Sequence, residues 1–124
     1  MNKQEVDLQM QILAKAIHKL NDAVEHFDQS EIQRDGIIQR FEFSIELSWK
    51  TLKKILKFIG EDDKLFAKEL FKKFDEYAII HNIEIWIDFM DIRNRLSHIY
   101  SEETAIESFN YIKENYSVFS ELFN

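Results

Sequence analysis

With 124 residues, 45% of them hydrophobic, no proline, no cysteine and two glycines, the chain excludes turn-rich sandwiches, disulfide frameworks and thiolate metal sites. Its formal net charge of −7 excludes the broad basic footprint of a nonspecific duplex binder, while leaving room for a few placed cations. No stretch reaches the roughly 20 apolar residues of a membrane span and the start lacks a signal-peptide run, so a cytoplasmic protein without a membrane partner is expected.

Eleven phenylalanines and two tryptophans supply bulk for a real core. One domain over residues 1–124 is the expectation, built from long uninterrupted helices. The first helix is read from Val6, Met10, Leu13, Ile17, Leu20, Val24 and Phe27, whose steps of four and three draw one apolar stripe. Lys15, Lys19, Asp22 and Glu25 fall between them, and the helix is expected to end near Asp28. Ser30 then reads as an N-cap, with Gln33 completing a capping box.

The second helix is expected from Glu31 to Ile59, with the stripe Phe41, Ile45, Ser48, Leu52, Ile55 and Ile59. Trp49 and Leu56 widen that stripe, so contact with more than one neighbour is expected. Gly36 marks a close helix crossing or a weak spot, and Gly60 stops the helix in the left-handed conformation. Asp62 and Asp63 are expected to cap a third helix. Leu65, Phe66, Leu70, Phe71, Phe74, Tyr77 and Ala78 give it a broad apolar side. Ile80-His81-Asn82 reads as a break.

A fourth helix, from about Ile83 to Ser97, is apolar nearly all round: Ile83, Ile85, Trp86, Ile87, Phe89, Met90, Ile92 and Leu96. A helix apolar on most faces is buried from several sides, at the centre of the fold or at a subunit interface. Ser101 with Glu102 and Glu103 opens a fifth helix, carried to the end by Ala105, Phe109, Ile112, Tyr116, Phe119 and Phe123. Four to five helices with short joints make an all-α, up-and-down bundle, the third and fourth counting as one broken leg.

Chemistry concentrates in Arg93-Asn94-Arg95-Leu96-Ser97-His98-Ile99-Tyr100, at the end of that buried helix. Polar groups in such a place cost desolvation free energy unless they are paired or used. Read alone, Arg93 is equally a cation stabilising a helix C-terminus, His98 a structural histidine and Tyr100 a packing residue. Arg95 points away from Arg93 and reads as surface charge, and Ser97 as a local cap. Lys50, Lys53, Lys54 and Lys57 form a solvated basic stripe, and Trp49 and Trp86 read as core. His18, His26 and His81 show no metal-ligand spacing, so neither a metal nor a cofactor is expected.

The tract reads Arg-x4-His-x-Tyr, which resembles the signature of HEPN domains (higher eukaryotes and prokaryotes nucleotide-binding). It is similar to the small prokaryotic toxins paired with minimal nucleotidyltransferases, earlier described as nucleotidyltransferase substrate-binding proteins. Arg40-Phe41-Glu42-Phe43-Ser44-Ile45-Glu46-Leu47-Ser48-Trp49-Lys50-Thr51-Leu52 resembles that family's second helix, and Trp86 fits seven positions before Arg93. The chain departs from the family in lacking a proline near the third helix and in carrying Ile99 where a smaller, polar residue is common.

The resemblance implies a metal-independent endoribonuclease toxin acting on RNA, with Arg93 and His98 as catalytic pair and Asn94 assisting. It implies that Tyr100 accepts AMP from a cognate minimal nucleotidyltransferase antitoxin, and that the chain forms a homodimer. Arginine can hold two phosphate oxygens, and histidine as a residue type exchanges protons near neutrality. Glu46, and with it Glu42 one turn earlier, is placed to aim Arg93. On a regular helix Arg93 and His98 stand about 140° apart and about 7.5 Å along the axis, so they share no face. Either His98 lies in a frayed last turn or the site combines two chains. The alternatives are a noncatalytic nucleotide- or substrate-binding subunit of a nucleotidyltransferase, and a plain helical dimerisation module.

Overall fold

The structure, a computed structural model, describes residues 2–98 and 101–123. Those residues form five α-helices and a closing 3-10 helix: α1 (Lys3–Glu25), α2 (Glu31–Phe58), α3 (Ala67–Glu76), α4 (Ile83–His98), α5 (Glu102–Asn115) and Tyr116–Phe123. They make an all-α bundle. α1 packs along α2, and α2 also contacts α3, α4 and α5, so the two-sided apolar pattern of α2 has its physical explanation.

The caps show how the sequence starts and stops these helices. Asn2 accepts the Glu5 amide at 2.9 Å to open α1. The Ser30 hydroxyl accepts the Gln33 amide at 3.1 Å to open α2. The reciprocal half of that capping box is displaced by two residues: the Gln33 side chain accepts from the Asp28 amide, and the Asp28 carboxylate accepts from the Ser30 amide. Hydrogen bonding to Asp28 from the Ser30 side chain, and from the Ser30 amide, holds the Asp28 carboxyl below its ordinary pKa. Gly60, at φ +81°, ends α2 as expected, with its amide on the Lys57 carbonyl and the Glu61 amide on the Leu56 carbonyl. Ser101 caps α5 through the Thr104 amide.

Several element readings need correction: α5 ends at Asn115 and not at the end of the chain, and Tyr77 and Ala78 follow α3 and are not part of it. The third helix starts at Ala67, not at Asp62 or Asp63. The Asp62 carboxylate instead accepts the Lys64 amide, a local turn that competes with capping, and Phe66 takes the N-cap position without a side-chain bond. Ile59 is not part of the buried stripe; it is the C-cap of α2 and is exposed. Gly36 marks no close crossing, because a Cβ built there meets nothing within 4 Å.

The core joins every helix. Phe41 of α2 meets Phe89 of α4 at 4.9 Å, Phe89 stacks on Phe119 at 5.3 Å, and Trp86 meets Phe119 at 5.4 Å and Phe71 of α3 at 5.4 Å. Trp86, Phe89, Met90, Ile92 and Leu96 bury α4 against α2, α3 and α5, which realises the central position read from its composition. The break after α3 is made by Ala78 at φ +58°. It is anchored by buried Glu121, whose carboxylate accepts from the Trp86 indole at 2.8 Å, the Asn82 side chain at 3.0 Å and the His81 amide at 3.0 Å.

Candidate functional site

The groove beside Arg93

α4 leaves the core with its last two turns carrying the polar tract. Ile92 and Leu96 stay buried, which turns Asn94, Arg95, Ser97 and His98 outward and leaves Arg93 half-buried at the edge. Arg93 Nη2 lies 3.6 Å from the Glu46 carboxylate on α2, and Arg93 Nη1 donates to Asn94 Oδ1 at 3.2 Å. Glu46 is shared with Lys50, at 3.2 Å. Glu42, one turn earlier, has its pKa raised by burial; the Arg93 charge opposes that rise and the Glu46 charge adds to it.

Arg93, Asn94 and Glu46 lie on the wall of a cavity of about 420 Å³ between α2, the start of α3 and α4. Trp49, Phe66 and Met90 supply its apolar lining, and Lys68 pairs across it with Asp91 at 3.6 Å. Two of these residues escaped the sequence reading. Trp49 reads as core, yet it is half-buried, lines the groove and carries the Lys53 ammonium 4.7 Å from its ring centre. Phe66 reads as part of the apolar side of the third helix, but is 81% exposed. No periodicity signals this, because Phe66 precedes the first turn of α3.

His98 is the last residue of α4 and is exposed. His98 thus closes the last turn of α4, five residues after Arg93, a spacing that on a regular helix corresponds to about 140°. The structure brings Arg93, Asn94, Glu46 and Glu42 together, and His98 is not among the residues lining their groove. Tyr100 lies outside the described residues. Ser97 donates back to the Arg93 carbonyl at 3.0 Å, a local role. Arg95 is exposed on another face, near Asp88 and Tyr111. Tyr111 donates to Asp88 at 2.6 Å, and burial, that hydrogen bond and the carboxylate charge raise its phenol pKa.

Among the described residues, no group of three or more His, Asp or Glu side chains could hold a metal ion, and no helix is long and apolar enough to cross a membrane.

Comparison with known proteins

An all-helical bundle whose buried fourth helix leads into Arg-x4-His-x-Tyr is a protein of the HEPN class. The chain belongs to the family described as nucleotidyltransferase substrate binding protein like, whose model matches residues 8–124. It is 32% identical over 83 residues to the "Probable ribonuclease HepT" of Haemophilus influenzae (strain ATCC 51907 / DSM 11121 / KW20 / Rd). That match covers 64% of this chain and 57% of the relative, so it spans little more than half of that protein's length. A crystal structure of a Thermus thermophilus protein superposes with a TM-score of 0.76 at 24% identity, covering 90% of this chain and 95% of that one, and shows the shared fold.

Proposed function

We propose that this protein is a metal-independent endoribonuclease toxin of HEPN type, controlled by a cognate minimal nucleotidyltransferase. The observation that carries the reading is Arg93 at the wall of an open groove, aimed by Glu46 and bonded to Asn94. The family membership and the description of the Haemophilus relative as a probable ribonuclease support it.

In the proposed reaction a ribose 2′-hydroxyl attacks the adjacent phosphorus. His98 takes the 2′ proton, the bond from the 2′-oxygen to phosphorus forms, and the bond to the 5′-oxygen breaks. The 5′-oxygen leaves with a proton from water. Arg93 stabilises the extra negative charge on the phosphate oxygens, as an always-ionised, two-pronged donor does best. Asn94 orients the guanidinium through its side-chain oxygen.

Because the spacing of Arg93 and His98 on a regular helix corresponds to about 140°, we place the working pair across a two-fold homodimer, Arg93 of one copy with His98 of the other. Two such pairs line one cleft. In the proposed control step the Tyr100 phenol oxygen attacks the α-phosphorus of ATP on the nucleotidyltransferase. Pyrophosphate leaves and the phenol proton is lost. The attached AMP then opposes RNA binding through its charge and bulk.

Purified protein is expected to cleave RNA in the presence of chelator. His98→Ala is expected to lower the rate by about 10²–10⁴-fold with the helical fold intact. Unchanged cleavage by that variant rejects the reading. Co-expression with the nucleotidyltransferase is expected to add an adenylyl mass that Tyr100→Phe abolishes.

A second reading is a noncatalytic binding subunit of the nucleotidyltransferase. The family description and the size of the Arg93 groove favour it. It predicts partner binding without RNA cleavage.

A further inference from the structure

The ribonuclease reading uses Arg93 and Asn94 but leaves the rest of their groove without a task. Phe66 presents an aromatic ring that is 81% exposed, immediately before α3. Leaving such a ring in water gains nothing for the fold. Trp49 from α2 and Met90 from α4 line the same cavity, and Arg93 lies on its wall. A volume of about 420 Å³ falls within the range of small-ligand sites, about 300–1,000 Å³.

The charges around the groove narrow the occupant. Glu46, Glu69 and Asp91 bring three carboxylates, against two cations, Lys68 and Arg93. Lys68 is drawn to Asp91 and Glu46 is shared between Arg93 and Lys50. That balance disfavours a polyphosphate inside the groove. It suits a neutral, flat, apolar-faced group with a single anion beside it at Arg93. An unpaired nucleobase with its own phosphodiester has that form, and bases stack on aromatic side chains whatever their sequence.

We propose that this groove is a base subsite, in which one unpaired base of the RNA strand stacks on Phe66 beside Trp49 while its phosphate lies on Arg93. The proposal rests on the reading of Arg93 as the phosphate-holding group and adds Phe66 as a residue that governs affinity for the base. Single-stranded RNA is then preferred to duplex, whose bases are already stacked.

The test uses a fluorescein-labelled 2′-O-methyl oligoadenylate hexamer, which has no free 2′-hydroxyl to attack, and an all-abasic counterpart with the same number of phosphates. Anisotropy measures the affinity of the protein for both. The base-bearing strand is expected to bind about tenfold or more tightly, the size of one stacking contact. In Phe66→Ala this ratio falls toward one, and in Phe66→Tyr it is kept. Because Phe66 is exposed, both variants are expected to keep the wild-type helical circular dichroism. A ratio unchanged in Phe66→Ala overturns the subsite. The probe is uncleavable, so the two readings separate: a base-dependent ratio in a protein that cleaves no RNA sinks the ribonuclease reading alone, and cleavage with a base-independent ratio sinks the subsite alone.

Discussion

Glu42 reports on the state of Arg93 more directly than Arg93 itself can. Burial raises its carboxyl pKa, and the neighbouring guanidinium holds that rise in check. Removing the guanidinium in Arg93→Ala is therefore expected to move the Glu42 pKa further up, which NMR titration of the side-chain carboxyl would follow. The sign for stability follows from linkage. A carboxyl whose folded pKa exceeds its unfolded value contributes stability below the unfolded pKa and loses it as pH rises through the folded one. Glu42→Gln is thus expected to gain stability relative to wild type at neutral pH, with the gain fading in acid, as denaturant melts at several pH values would show. At this scale the sequence was informative where spacing sufficed: Glu42 and Glu46, one turn apart, do meet the charge of Arg93. Phe66 was not legible, because its exposure is set by where α3 begins, and the Asp62 turn decides that start.

The helices themselves were legible wherever a stop or start signal had no competitor. Gly60 and Ser101 behaved as read, because one needs a left-handed φ and the other a free hydroxyl at an N-cap. Gly60→Ala is expected to cost about 1 kcal/mol in chemical denaturation, the strain of an L side chain at positive φ. Asp62 failed as a cap because its carboxylate had a nearer amide to accept from. Glu121 left no sequence signal, since nothing in an i, i+3 or i, i+4 pattern marks a carboxylate that bonds a segment some forty residues earlier. It ties the closing 3-10 helix to Trp86 and to the joint before α4. Glu121→Ala strands the Trp86 and Asn82 donors and is expected to cost about 2–4 kcal/mol, read as a lowered denaturation midpoint. A small loss on that substitution would show that water replaces the carboxylate freely. The buried Arg34 makes a comparable tie at the other end, through Glu102 at 2.6 Å and Asp35 at 3.0 Å. It joins the start of α2 to the start of α5, and Arg34→Ala is expected to loosen the same end of the bundle that carries His98.

For the whole molecule, four-three periodicity and the near absence of helix breakers made the bundle readable. The relation between Arg93 and His98 could be stated from helix geometry: α4 runs through both, and five residues on a regular helix stand about 140° apart. What closes the distance in the proposed enzyme is a second copy, and no single-chain pattern encodes how two copies meet. The decisive measurement is therefore complementation between two inactive chains. Arg93→Ala and His98→Ala, each purified alone, are expected to cleave RNA negligibly. Co-expressed, half of their dimers are mixed and each mixed dimer keeps one intact pair, so about a quarter of the wild-type rate should return. No recovery from a preparation shown to contain mixed dimers would contradict a site shared between two copies.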